Sequence, residues 1–137
     1  MGSNEQFLHS EITEQIIGTF YEVYNELGHG FLESVYENSL AIALKDKGFD
    51  ILQQVKIPVH FRGDKVGEFE ADILVNGIVI LELKAVRSID SVHIAQLLHY
   101  LKATDVEVGL LLNFGLRAEF KRVVFGNDRK RKNSSSA

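Results

Sequence analysis

Two apolar segments of the sequence each carry residues that could do chemistry. Asp72 lies within residues 70–75, and Glu82 and Lys84 lie within the otherwise apolar residues 78–84. Residues two apart in a strand point to the same side, so Glu82 and Lys84 share one face. Burying both charges on a central strand is unfavourable unless they pair or bind something. The plain alternative is a strand end that emerges into solvent with an ordinary ion pair.

The turn between these segments decides whether Asp72 joins Glu82. A two-residue turn would pair Ala71 with Glu82 and send Asp72 to the opposite face. A three-residue loop of residues 75–77, with its glycine in the left-handed conformation, would pair Asp72 with Ile80 and place it diagonal to Glu82. We therefore predict an odd-length loop. A structure with Asp72 and Glu82 on opposite faces would contradict the site.

These residues suit metal-dependent hydrolysis of a phosphodiester. Asp72 and Glu82 offer hard oxygen ligands to Mg²⁺ or Mn²⁺, and the backbone carbonyl of Leu83 and water would complete an octahedron. Lys84 would orient the attacking water or stabilise the charge of the pentacoordinate phosphate. The five histidines show no ligand spacing and no cysteine joins them, so we interpret them as incidental.

The composition fits one domain of 137 residues and limits the classes of function. Because the sequence contains no cysteine, disulfides, thiolate zinc sites and thiol catalysis are excluded, and a cytoplasmic location is the natural expectation. No apolar run approaches a membrane span, and the N-terminus lacks a signal-peptide pattern, so we expect no membrane partner. The net charge of −4 argues mildly against a dedicated nucleic-acid binder.

The elements that must position these residues follow from periodicity and from glycine and aspartate signals. Two amphipathic helices come first, the first capped by Ser10 and ended by Gly28, the second ended by Gly48. Three strands, a helix capped by Asp90 or Ser91 and a buried strand follow. The predicted ranges are helices 11–27 and 31–47, strands 51–61, 66–75 and 78–85, a helix to residue 104, a strand at 106–113 and a further short element at 120–125. The order is α-α-β-β-β-α-β.

The sequence divides into a single predicted domain with two extensions. Residues 1–9 form an N-terminal extension, whose Met1-Gly2-Ser3 resembles the remnant of an expression tag. Residues 10–126 form the domain. Residues 127–137 are basic and serine-rich, and we interpret them as a disordered, solvated tail, with a phosphate-binding arm as the alternative.

Several motifs together resemble a known family. Asp72, Glu82-Leu83-Lys84, and Gln96 with Tyr100 on the next helix resemble the PD-(D/E)XK nuclease core and the Gln-x-x-x-Tyr motif of its RecB-like branch. The segment Gly30-Phe31-Leu32-Glu33-Ser34-Val35-Tyr36 matches the motif of the small GxxExxY group. That resemblance extends through residues 81–86, 95–101 and 109–115. One departure is Ala71, which stands where the superfamily name has proline.

The resemblance implies a restriction-endonuclease-like α/β core, a central mixed sheet flanked by helices, and a Mg²⁺- or Mn²⁺-dependent nuclease acting on nucleic acid, with DNA as the expected substrate. It also implies that Glu33 contacts the metal directly or through water. Gln96 and Tyr100 lie one helical turn apart, so both could reach Lys84 or a substrate phosphate. Glu33 could instead be a solvated helix carboxylate. Tyr100 could be a core residue whose hydroxyl contacts solvent.

Two rival interpretations accompany this hypothesis. The first is a binding or assembly module that keeps the nuclease fold without turnover, which the acidic net charge favours. The second is a carboxylate and lysine network that only ties the sheet to its helices. A homodimer is plausible for so small a catalytic domain, although no sequence feature demonstrates one.

Overall fold

The computed structural model describes residues 7–130 as three helices around one mixed sheet. The elements are α1 Ser10–Leu27, α2 Glu33–Asp46, β1 Ile51–Phe61, β2 Asp64–Val75, β3 Val79–Lys84, α3 Ser91–Lys102, β4 Val108–Phe114 and β5 Ala118–Val124. The five strands of the described part lie in the order of the chain. Only β3 and β4 are parallel neighbours, joined through α3. The predicted order is confirmed, and β5 is the further short element.

The starts of α1 and α2 differ from the predicted ones, and α2 and α3 end one and two residues earlier than predicted. Ser10 lies inside α1, and the N-cap is His9, in a left-handed conformation with φ 53° and no side-chain cap bond. Gly28 ends the helix as predicted, with φ 71° and its N–H bonded to the Tyr24 carbonyl. Helix α2 begins at Glu33 rather than at residue 31, because Leu32 is extended. Glu33 therefore stands in the first turn of α2.

One face of the sheet packs against α1 and α2 in an aromatic core. The rings of Tyr36 and Phe114 are stacked, with centroids 4.3 Å apart and planes at 14°. Phe20 meets the Phe114 ring edge-on at 4.8 Å. All three residues are at most 1% exposed. Aromatic burial of this kind contributes strongly to stability.

The other face of the sheet packs against α3. Leu97 and Leu101 are fully buried there with Ile80 of β3. Gly109 of β4 lets the helix approach closely, since a Cβ at this position would lie 2.8 Å from a methyl carbon of Leu97. Asp90 caps α3 as predicted, accepting a 2.7 Å hydrogen bond from the N–H of Val92.

The segment after β5 contacts the domain. Residues 127–130, the first of the predicted tail, form a helical turn. The Asn127 N–H donates to the Glu107 carboxylate at 2.7 Å, and the Lys130 ammonium donates to the carbonyls of Thr104 and Val106, each at 2.7 Å. Residues 131–137 and residues 1–6 lie outside the described part. Within residues 7–130, no helix has the length and apolar character that crossing a bilayer requires.

Candidate metal centre

The loop between β2 and β3 has three residues, so the predicted odd length is confirmed. Val75 pairs with Val79, which leaves residues 76–78 in the loop rather than the predicted 75–77. Asn76 and Gly77 both have positive φ, at 51° and 69°. The predicted register is wrong because it left only the glycine in the left-handed region, whereas asparagine also tolerates it.

The corrected register brings Asp72 beside Glu82. Ile73 pairs with Leu81, so the next position along the ladder sets Asp72 level with Glu82 rather than diagonal to it. One Asp72 oxygen accepts a 2.8 Å hydrogen bond from the N–H of Leu83. The carboxyl groups of Asp72 and Glu82 lie close enough that the charge of Asp72 and hydrogen bonding to it raise the pKa of Glu82. The two acids therefore share a face, which the hypothesis requires.

Glu82 is an acid held out of water. Its exposed fraction is only 9%, and its pKa is raised to about 9, mainly by burial and then by the negative charge of Asp72 and their shared hydrogen bond. The positive charge of Lys84 opposes this shift. Within the described residues, the Oε1 atom of Glu82 is buried and has no hydrogen-bond partner. A buried polar atom without a partner is unfavourable unless a bound group supplies one.

A divalent cation fits this arrangement. The unpartnered oxygen of Glu82 and the carboxylate of Asp72 are hard donors, and a cation beside them would reverse the cause of the raised pKa. Among residues 7–130, no group of three or more His, Cys, Asp and Glu side chains is close enough to hold a metal. The two acids are therefore the carboxylate ligands that the described residues offer here, and water would complete the coordination. Mg²⁺ commonly binds through one or two carboxylates while keeping several waters.

Lys84 is the cation of this site. It is half-buried, lies two residues after Glu82 on β3, and its charge lowers the pKa of that acid. In the part of the chain that the structure describes, Lys84 forms no hydrogen bond and no ion pair within 4.0 Å. The ion pair of the plain alternative is therefore not formed.

Tyr100 faces the acidic pair from α3. Its pKa is raised, first by burial and then by the charge of Glu82, while a hydrogen bond from the side chain of Gln96 acts in the opposite direction. The Tyr100 ring lies flat on Phe69, with centroids 3.7 Å apart and planes at 3°. Tyr100 is therefore held by ring packing on Phe69, and the exposed Gln96 lies near enough to act on its pKa.

Glu33 lies at the end of β3 rather than beside the two other acids. Its carboxylate accepts a hydrogen bond of 3.3 Å from the N–H of Ala85, the residue after Lys84. Glu33 is exposed. The structure thus brings it to the edge of the site without assembling a three-carboxylate cluster within the described residues.

Comparison with known proteins identifies the family. A family model of the PD-(D/E)XK nuclease superfamily matches residues 10–123. The chain belongs to the PD-(D/E)XK nuclease superfamily. No curated protein sequence matches the chain. A crystal structure of SSO0001 is similar in fold, with a TM-score of 0.53, 19% identity, and coverage of 97% of this chain and 68% of that one.

Superfamily membership confirms the predicted mixed-sheet core, and members of the superfamily generally use divalent metal ions. The departure from the superfamily name is tolerated at Ala71, which is fully buried and pairs with Val55 of β1. A small apolar side chain fills that place in the core under α3.

Glu37 and Gln54, which the sequence pattern does not single out, also lie beside the candidate metal centre. The amide of Gln54 donates to the Glu37 carboxylate at 2.6 Å and lies 3.5 Å from an Asp72 oxygen. Gln53 donates to the other oxygen of Glu37 at 2.8 Å. The available signal is a pair of glutamines inside an apolar strand, together with a glutamate one helical turn after Glu33.

The backbone at Gln54 is unusual for a strand interior, with φ 52°. Opposite it, Ile73 packs under α1 and α2 while Ala71 packs under α3, although the two lie two positions apart in the strand and should share a face. Strict alternation is therefore interrupted at Asp72. Left-handed non-glycine residues store strain and are concentrated at functional sites.

Proposed function

We propose that the chain is a metal-dependent nuclease that hydrolyses phosphodiester bonds of nucleic acid with Mg²⁺ or Mn²⁺. The observation that carries this proposal is the buried carboxyl of Glu82, which adjoins Asp72 and keeps one oxygen without a partner among the described residues. An arrangement of this kind is unfavourable in a purely structural role. It becomes favourable once a divalent cation neutralises the two acids.

Each residue of the centre then has a role. Asp72, Glu82 and the carbonyl of Leu83 hold the ion, which when bound supplies a Lewis acid for the phosphate and lowers the pKa of water. Lys84 has no competing partner in the described part of the chain, so its ammonium is available to orient the attacking water or to stabilise the phosphate charge.

The helical residues complete the proposal. Glu33 would contact the ion directly or through water from the edge of the site, where one of its carboxylate oxygens accepts from the Ala85 N–H. Tyr100, oriented by Gln96, faces the acidic pair and donates to a substrate phosphate. DNA as the substrate, action in the cytoplasm and a homodimeric state are part of the same proposal.

We also assign the chain to the GxxExxY group within the superfamily. The motif positions support this because each has a distinct structural task. Gly30 takes φ 110°, which a side chain rarely adopts. The Tyr36 hydroxyl donates to the Gly28 carbonyl at 2.5 Å and accepts from the Phe31 N–H at 3.2 Å. Glu33 joins the segment to the end of β3.

Cleavage of labelled single- and double-stranded DNA and RNA with Mg²⁺, Mn²⁺ or EDTA tests the proposal. We expect wild-type protein to cleave only with metal, and Lys84→Ala to be slower by about a hundredfold or more. Lys45→Ala removes an exposed lysine on α2 and serves as the matched control with unchanged activity. Equal cleavage by wild type and Lys84→Ala would point to a contaminating nuclease and overturn the proposal.

A non-catalytic binding or assembly module is the second candidate. The net charge of −4 and the lack of a three-ligand cluster among residues 7–130 favour it. Titration with Mn²⁺ separates the two candidates. Binding that Asp72→Ala and Glu82→Ala abolish supports the metal centre, whereas a wild type without measurable binding supports the second candidate.

A further inference from the structure

A cleft of about 490 Å³ lies where β3 and β4 end. Three segments line it: residues 29–31 before α2, residues 85–87 after β3, and residues 114–116, which begin at the last residue of β4. Because β3 and β4 are parallel, their carboxyl ends meet at this edge of the sheet. The volume lies in the range of pockets that hold small ligands or single nucleotides.

Tyrosine hydroxyls hold two of these loops. The Tyr36 hydroxyl bonds to both sides of the first loop, at Gly28 and Phe31. The Tyr24 hydroxyl lies 2.7 Å from the carbonyl oxygens of Gly115 and Leu116 in the third loop. Both loops are therefore held in place without a ligand, which lowers the entropic cost of binding one.

Asn113 holds the remaining loop. This fully buried residue of β4 accepts from the Val86 N–H and donates to the Val86 carbonyl, each at 2.9 Å. The third loop packs directly on the same peptide, since a Cβ on Gly115 would lie 2.2 Å from the Val86 oxygen. All three walls of the cleft are thus preorganised.

The groups that line the cleft combine an aromatic ring with a guanidinium and an imidazole. Phe31 is 47% exposed although it is a large apolar side chain, and its ring is braced edge-on by Tyr36 at 6.0 Å. Arg87 and His29 are exposed. Neither forms a hydrogen bond or an ion pair with another described residue. An aromatic ring stacks on a base, and a guanidinium binds phosphate.

The cleft adjoins the metal centre along two segments. Ala85 lines the cleft and directly follows Lys84. The Ala85 N–H bonds to Glu33, which comes two residues after Phe31. When one nucleotide of a nucleic-acid strand lies at the metal centre, the adjacent nucleotide would therefore lie at the cleft.

We propose that this cleft binds one unpaired nucleotide of a single-stranded nucleic acid, its base stacked on Phe31 and its phosphate held by Arg87 and His29. A paired base is stacked on both sides and cannot enter a concave cleft without leaving the duplex. The inference rests on the proposed function, because it names the substrate class of that centre.

Binding without turnover tests the inference separately from catalysis. The probe is fluorescein-labelled decathymidylate, measured by anisotropy in EDTA with the full chain. We expect Phe31→Ala to weaken Kd by about tenfold, the usual loss for one base stack. We expect Arg87→Ala to weaken it by about threefold or more and to reduce the salt slope by about 0.7.

The chain provides matched controls at the hairpin between β1 and β2. Phe61 is 59% exposed there, and the Arg62 guanidinium lies 4.9 Å from its ring centre. Phe61→Ala and Arg62→Ala should change Kd less than about twofold. Phe31→Leu keeps an apolar side chain without the flat ring, so it should lose affinity like Phe31→Ala while preserving the fold.

Four outcomes decide the matter. Equal losses in the Phe31 and Phe61 variants would overturn the inference, as would duplex DNA that binds as tightly as the single strand. Loss of binding in the Phe31 variants with no cleavage by wild type would leave the cleft standing and defeat the proposed function. Wild-type cleavage that the Phe31 variants retain in full would support the proposed function and overturn the proposed role of the cleft.

Discussion

The two faces of the sheet differ in what they bury. Under α1 and α2, the large fully buried side chains are aromatic and aliphatic, with Phe20, Tyr36 and Phe114 in mutual contact. Under α3, the apolar core is smaller, and the buried acid Glu82 lies two residues after its member Ile80 on β3. The first face is built for stability. The second gives up stability to hold charges away from water, which is the usual relation between a scaffold and its site.

Neutralising the acid of the α3 face should have the largest effect on cleavage. Glu82→Gln keeps the shape of the side chain but removes the negative charge that holds the ion. We expect cleavage to fall about a thousandfold, which corresponds to about 4 kcal/mol of transition-state stabilisation. Steady-state kinetics with Mn²⁺ measure this. Glu14→Gln, exposed on α1, should leave cleavage unchanged, and a similar loss in both variants would contradict the contrast.

Truncating the aromatic face should have the opposite signature. Phe20→Ala removes a fully buried ring and should lower the free energy of unfolding by about 3–5 kcal/mol. Urea denaturation gives this value. The same change at Phe61, which is 59% exposed, should lower it by less than about 0.5 kcal/mol. Equal losses would show that the buried rings contribute no more than exposed ones.

The raised pKa of Glu82 makes the stability of the metal-free protein depend on pH. In the folded state this pKa is about 9, against 4.5 in the unfolded chain. Its contribution is therefore complete below pH 4.5 and is lost as pH rises through about 9. We expect the free energy of unfolding in EDTA to fall by a few kcal/mol between pH 5 and 9. The Tm, measured in EDTA across this range, should fall with it. Glu82→Gln should remove this fall, and a parallel decline in the variant would place its origin elsewhere.

The smallest expected effect concerns the backbone at Gln54. Because Gln54 has φ 52°, Gln54→Gly should be more stable than Gln54→Ala by about 1 kcal/mol, although both lose the amide. Gln53 provides the control. Its φ is not positive, so there alanine should be the more stable variant. The same order of stability at both positions would show that the strain is not local to the site.

The fold was predictable because its elements carry strong local signals. Apolar residues at helical spacing indicate α1 and α3, and Gly28 and Asp90 mark two of the ends correctly. The start of α2 was not predictable, since Phe31 and Leu32 continue the apolar pattern of the helix. Only the structure shows Leu32 extended and Phe31 exposed.

The candidate site was predictable at its centre and less so at its edges. Alternation places Glu82 and Lys84 on one face, and an odd loop brings Asp72 to it. The exact register depended on whether Asn76 shares the left-handed conformation of Gly77, which sequence spacing does not decide. The contribution of Glu37 and Gln54 was not predictable, because their contact joins α2 to β1. A local sequence pattern does not indicate a contact between distant segments.

The order of the strands also bears on how the molecule folds. Every strand pairs with its neighbour in the chain, so each hairpin can close locally and only the parallel pair awaits the helix between its strands. Asp72 and Glu82 therefore meet as soon as β2 and β3 close, while water still weakens their repulsion. Their dehydration comes with the docking of α3. We expect that docking step to slow as pH rises, because burying the two acids costs more once both are ionised. The same acids that form the candidate site would then slow a late step of folding.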